Sequence, residues 1–156
     1  MGVQCCFQCC FGKILIHGCP VLLCCCVAVS SVALTSAAIE SLQLVRIREH
    51  APEICFSVLA PGTHILPHTG VSNLRVVVHL PLIVPADCAI EVGGEAHVWR
   101  EGEAVVFDDT FEHQAWNRSE ERRVILLMDT WNPHLDDIER EALAALVAGI
   151  GDFNRD

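Results

Sequence analysis

The distribution of charge divides this chain more sharply than any other feature. Residues 1–39 contain one charged side chain, Lys13, and no acid, whereas the remainder carries nine Arg and twenty Asp or Glu. A long stretch without charge is covered by protein or lipid, while a stretch mixing charge with apolar residues folds in water. At 156 residues the chain has room for one domain of ordinary size. The expected organisation is therefore a Cys-rich apolar leader over 1–39 and one folded domain over 40–156. With a net charge of -10 and no basic run, the chain offers phosphates no docking surface, and nucleic acid is not expected as a partner.

Within the leader, residues 14–34 are free of charge and would span about 30 Å as an apolar helix, the thickness of a bilayer core. A membrane anchor is one reading of this helix. A cleaved signal segment ending at Ser36-Ala37-Ala38 is a second, and a buried helix is a third. The first two place the protein in the membrane or secretory pathway, the endoplasmic reticulum included; the third leaves it cytoplasmic. Eight of the ten cysteines lie in the first 26 residues, as two adjacent pairs, the single Cys19 and a triplet, which is not the spacing of a disulfide framework. A tetrathiolate zinc site at Cys5, Cys6, Cys9 and Cys10 lacks a second spaced pair to support it.

After Ala51 the pattern changes to short apolar runs separated by turn residues. Strands are expected at 54–59, 74–82, 88–92, 96–100, 104–107 and 123–130, with breaks at Ala60-Pro61-Gly62, His68-Thr69-Gly70, Gly93-Gly94, Glu101-Gly102 and Trp131-Asn132-Pro133. The intervening segments are too short for crossover helices, so the sheets are antiparallel and a double-sheet jelly roll is the simplest closure. A C-terminal helix follows, capped by Asp136. Its apolar residues Ile138, Ala142, Leu143, Leu146 and Val147 should pack on a sheet face, and Gly149 and Gly151 should stop it.

Four histidines frame the candidate chemistry. His64 and His68 flank a turn rich in Pro and Gly, His79 lies in the next strand, and His113 lies in Phe107-Asp-Asp-Thr-Phe-Glu-His113. Imidazole suits first-row metals, and a barrel gathers ligands from strands distant in sequence; His68 and His113 fit such a pair. Any one of these histidines read singly is a turn or core residue. Strand alternation puts Arg75, Val77 and His79 on one face of 73–80 and Leu74, Val76, Val78 and Leu80 on the other. A cation and an imidazole on a concave face call for an anion, and the strand-end Arg123 is a second candidate for the same cavity. Pairing of Arg123 with Glu120 or Glu121 is the competing reading.

The runs Phe56-Ser-Val-Leu-Ala-Pro-Gly-Thr-His-Ile-Leu-Pro-His-Thr-Gly70, Asn73-Leu-Arg75, His79-Leu-Pro-Leu82, Trp99-Arg-Glu-Gly102, Phe107 to His113, Ala115-Trp-Asn117 and Arg123 to Trp131 resemble the aspartyl/asparaginyl β-hydroxylase family. The resemblance covers about 51–143. It implies a mainly β fold, the double-stranded β-helix or cupin-like jelly-roll barrel. It also implies an enzyme that uses Fe(II), 2-oxoglutarate and O2 to hydroxylate Asp or Asn side chains of a peptide or protein substrate. By position, His68 and His113 resemble the iron ligands, and Ser57 and Arg123 the pair holding the distal carboxylate of 2-oxoglutarate. His79 resembles a contact to the carboxylate nearer the metal, and Arg75 an arginine of the substrate and cosubstrate pocket.

Gly70 stands where most Fe(II) oxygenases carry an acid, an absence the family shares. A small residue there equally suits a halide ligand, and the wider match favours hydroxylation. Val77 stands where some members carry a further pocket arginine. Two other readings are a cupin-like metal-binding module, suggested by the spacing of Gly102, His113 and Asn117, and an inactive binding domain. His64, His97, Asp108, Asp109 and Trp116 are read as turn, network and packing residues.

Overall fold

The computed structural model describes residues 27–28, 37, 39, 42–47 and 54–153. The expected helix over 14–34 and the cysteine cluster lie outside these residues, with one exception. Val27 and Ala28 form a two-residue strand, β1 (Val27–Ala28), paired with Phe56 and Cys55. Two residues within the expected apolar helix are thus strand, drawn to backbone groups that the edge of a sheet leaves open.

Eight further strands follow: β2 (Ile54–Leu59), β3 (His64–His68), β4 (Arg75–Ile83), β5 (Cys88–Val92), β6 (Glu95–Val98), β7 (Val105–Phe107), β8 (His113–Asn117) and β9 (Arg123–Trp131). They form two antiparallel sheets ordered β1-β2-β9-β4-β7 and β3-β8-β5-β6. From β2 onward the chain crosses between sheets at nearly every connection, and the exception is the β5-β6 hairpin. That hairpin turns on Gly93 and Gly94, both at positive φ, which a two-residue turn matching strand twist requires. Eight strands divided four and four in this order make a jelly roll, the expected closure.

Each face of the larger sheet has its own apolar cluster. Outside, Ile39 and Leu44 pack with Leu126 and Met128, joined by Ile54, Phe56, Val78 and Leu80, so the aliphatic face of β4 is covered as alternation requires. Inside, Ile125 meets Cys88, Ile90, Trp99 and Ala115 of the facing layer. Asn117, fully buried, ties the lower end together. Its amide donates to the carbonyls of Leu59, Ala60 and Glu121, and its Oδ1 accepts from Cys88 Sγ and from Ser119.

The C-terminal helix, α1 (Asp137–Phe153), begins with a reciprocal cap. Glu139 N donates to Asp136 Oδ1 at 2.8 Å, and Asp136 N donates to Glu139 Oε2 at 2.9 Å. It differs from expectation twice. It runs through Gly149 and Gly151, because a glycine in an exposed helix costs only about 1 kcal/mol and does not by itself end one. Ile138 and Leu146 also remain 78% and 59% exposed, so the apolar stripe is only partly buried.

Candidate active site

Two strands that resist sequence reading carry the histidine pair. His68 of β3 and His113 of β8 are direct partners in the smaller sheet, their ring centroids 4.1 Å apart. Their meeting depends on a bulge. His64 pairs with Trp116 and Ile65 with Ala115, but the next pair is His68 with His113: three residues advance on β3 for two on β8. One extra residue reverses the alternation, so His68 joins the inward face of Ile65 rather than the outward face of His64. Pro67, which has no N–H to offer the ladder, sits within the irregular step.

Both imidazoles are oriented in the same way. His68 Nδ1 lies 2.8 Å from the Leu66 carbonyl and His113 Nδ1 lies 2.9 Å from the Phe111 carbonyl. A carbonyl only accepts, so each Nδ1 donates and each Nε2 is the ring nitrogen left to face a metal. Burial pushes the His113 pKa below its ordinary value, the nearby His68 adding to burial and the Phe111 carbonyl opposing it. Two imidazoles held through Nδ1, with Nε2 left to coordinate, suit a divalent first-row metal. Among the described residues, no group of three or more His, Cys, Asp or Glu side chains is placed to hold one.

From this pair a line of ring contacts crosses the barrel. His113 meets Phe107 at 5.4 Å, Phe107 meets His79 at 5.0 Å, and His79 meets Trp99 at 5.9 Å. The guanidinium of Arg123 lies over the Trp99 ring at 5.0 Å, and its Nη2 donates to Ser57 Oγ at 3.3 Å. Strand register produces this line, since Ser57, His79 and Arg123 all face inward from β2, β4 and β9. Arg123 is 1% exposed. Burial, followed by the charges of Arg123 and His113, lowers the His79 pKa to about 3, so its imidazole is neutral. His79 Nδ1 and Trp99 Nε1 are buried without a hydrogen-bond partner among the described residues. Buried polar atoms left open beside a buried guanidinium form a cradle that a carboxylate would satisfy. The residues present therefore fit both a metal and a dicarboxylate.

Arg75 is placed differently from the other three cosubstrate candidates. Its Nη1 is bound to Asp129 and its Nη2 reaches Asp109 at 3.3 Å. Sequence reasoning read Asp109 only as a turn, network or packing residue and gave Asp129 no role. Asp109 is 6% exposed, and its backbone carbonyl accepts from Gly70 N at 2.6 Å. A Cβ added at Gly70 would collide with the Asp109 carboxylate. A carboxylate from a distant loop thus occupies the space an acid at position 70 would have used. Gly70 was the available signal, because a small residue at an expected ligand position asks what fills the gap.

An eight-stranded jelly roll with a histidine pair at one side of its interior and a buried arginine at the other is a barrel of the cupin-like class. Within that class, residues 27–133 match the Aspartyl/Asparaginyl beta-hydroxylase family, and the chain belongs to it. The aspartyl/asparaginyl beta-hydroxylase of Mus musculus is 40% identical over 95 residues, covering 60% of this chain and 13% of that protein. The aspartate beta-hydroxylase domain-containing protein 2 of Xenopus tropicalis is 43% identical over 97 residues, covering 60% of this chain and 26% of that one. The chain spans between about an eighth and a quarter of the length of these curated relatives. Among solved structures, a cupin protein from Bacteroides fragilis is similar with a TM-score of 0.44 at 14% identity, covering 53% of this chain and 68% of that one. A score that low adds nothing to the strand topology.

Proposed function

We propose that this protein is an Fe(II)- and 2-oxoglutarate-dependent dioxygenase that hydroxylates Asp or Asn side chains of a peptide or protein substrate. The observation that carries the reading is the line of side chains from the His68–His113 pair through Phe107, His79 and Trp99 to Arg123 and Ser57. It supports a reading in which one end of the interior would bind a metal and the other a carboxylate. His68 and His113 would hold the metal through Nε2. Arg123 would grip the distal carboxylate of the cosubstrate with its planar fork, Ser57 donating beside it. His79 would face the carboxylate nearer the metal, and Trp99 and Phe107 would keep water out of the space between.

When bound, Fe(II) with 2-oxoglutarate and O2 would supply the oxidising power to place a hydroxyl on an aliphatic carbon, with decarboxylation of the cosubstrate. The folded unit proposed to carry this activity is 40–156. The leader over 1–39 adds β1 and Ile39 to that unit, and residues 14–34 are its candidate contact with a membrane. Among the described residues, no helix is long and apolar enough to cross a membrane.

Anaerobic titration of the full chain with Fe(II) and then 2-oxoglutarate tests the reading. A weak visible charge-transfer band that needs both additions, and is lost in His68→Ala and His113→Ala, is the expected result. Metal binding without any response to 2-oxoglutarate would make the protein a metal-binding module instead. A band unaffected by either histidine substitution would reject the site.

A further inference from the structure

Resting on the cosubstrate site proposed above, we infer that Trp99 selects for a dicarboxylate: its indole N–H donates a hydrogen bond to the distal carboxylate of the cosubstrate, beside Arg123. Packing alone does not account for an indole at this position. Trp99 is 2% exposed and lies among Cys88, Ile90, Ala115 and Ile125, a cluster whose side chains offer no oxygen acceptor. Its Nε1 has no hydrogen-bond partner among the described residues. A buried N–H left open costs free energy, and a phenylalanine would fill most of the same volume without that cost. Tryptophan is favoured here only if something supplies an acceptor.

The surroundings of the ring say what kind of acceptor. Trp99 follows Val98, the last residue of β6, which is 65% exposed, so strand alternation turns the next side chain inward. There the Arg123 guanidinium lies over the indole at 5.0 Å, and the His79 ring meets it at 5.9 Å, tilted by 46°. An anion held at the edge of a guanidinium that covers a ring lies close to the edge of that ring, and the edge of an indole carries its N–H. A carboxylate has about four lone-pair sites, more than one arginine fork fills, so it accepts the indole N–H as well. A 2-oxo acid ending in a methyl group would leave that N–H without an acceptor, and the site would discriminate against it by that loss.

Calorimetric titration of the full chain loaded with Zn(II), a redox-inert stand-in for iron, tests this. The ligands are 2-oxoglutarate and 2-oxopentanoate, which keeps the metal-binding end but lacks the distal carboxylate. Trp99→Phe should weaken 2-oxoglutarate binding by about 10- to 150-fold, the usual effect of losing a hydrogen bond to a charged group, and should leave 2-oxopentanoate binding unchanged. In nuclear magnetic resonance of the isotope-labelled wild-type chain, 2-oxoglutarate should move the Trp99 indole proton signal downfield, and 2-oxopentanoate should not. This second measurement decides the matter even where Trp99→Phe fails to fold, because Trp116→Phe and Trp131→Phe assign the Trp99 signal by elimination. Equal losses for both ligands would overturn the inference, as would an unchanged affinity with a lower melting temperature or an indole signal that ignores 2-oxoglutarate. A wild-type chain that takes up Zn(II) yet binds no 2-oxoglutarate would instead overturn the cosubstrate site itself, and the role of Trp99 with it.

Discussion

Arg123 concentrates the cosubstrate hypothesis in one side chain. A guanidinium at 1% exposure, bonded to Ser57 and stacked on Trp99, is already desolvated before any ligand arrives. Losing one partner of a buried charge pair typically costs about 2 to 5 kcal/mol, so Arg123→Ala should weaken 2-oxoglutarate binding by roughly 30-fold to several thousand-fold. Metal binding should persist, and Arg123→Lys should recover part of the loss because an ammonium makes no bidentate fork. Isothermal titration in the presence of Mn(II) measures each value. An unchanged affinity accompanied by a lower melting temperature would make Arg123 a structural residue.

His79 gives a pH signature at the same scale. Its folded pKa of about 3 lies below the ordinary 6.5, so below pH 6.5 the unfolded chain binds a proton that the folded chain refuses. Stability contributed by the neutral ring is therefore present above pH 6.5 and is lost as pH falls toward 3. The slope approaches about 1.4 kcal/mol per pH unit where only the unfolded state is protonated. His113, shifted in the same direction, adds to the trend. Melting temperatures of metal-free protein between pH 7 and 4 should decline on acidification, and His79→Gln should flatten the decline. An unaltered slope in that variant would refute the assignment.

Among the elements, β3 and β8 depart furthest from sequence expectation and matter most. His64-Ile-Leu-Pro-His68 contains a proline and no regular alternation, and His113 to Asn117 carries polar residues on its inward face. Segments that turn ligands inward lose the apolar period by which strands are recognised. The turn beyond β3 offers a sharp test. Gly70→Ala places a methyl group into the Asp109 carboxylate, which Arg75 holds from the other side. Overpacking of this kind typically costs about 1 to 3 kcal/mol. Chemical denaturation should show that loss, and Asp109→Ala in the same chain should restore most of it. If Gly70→Ala is as stable as wild type, the loop bearing Asp109 yields freely and the carboxylate is not held in place.

For the molecule as a whole, metal and fold should be coupled. The ligand pair joins β3 to β8 within one sheet, and no unfolded chain holds His68 beside His113. Ligand that binds only the folded state stabilises it by about 2.7 kcal/mol at a concentration 100-fold above Kd. Saturating Mn(II) should therefore raise the melting temperature of the full chain by several degrees, and that rise should vanish in His68→Ala and His113→Ala. Equal stabilisation of both variants would place the metal elsewhere.

Local pattern settles much of this protein. Apolar runs between turn residues locate β2, β5 and β9, and alternation predicts which face of β4 carries Arg75 and His79, because burial on a pleated strand repeats every two residues. The Asp136 cap is equally local, since its partners lie within one turn. The tertiary structure decides what depends on residues far apart. A one-residue bulge, invisible to periodicity, turns His68 inward toward His113. Pairing with β2 makes Val27 and Ala28 a strand within an apolar stretch that reads as helix. Above all, the carboxylate beside the histidine pair comes from Asp109, and it reaches the space at Gly70 because β3 and β8 lie side by side. A short motif carries information about its own neighbours; which distant loop fills its gap is set by the closure of the barrel.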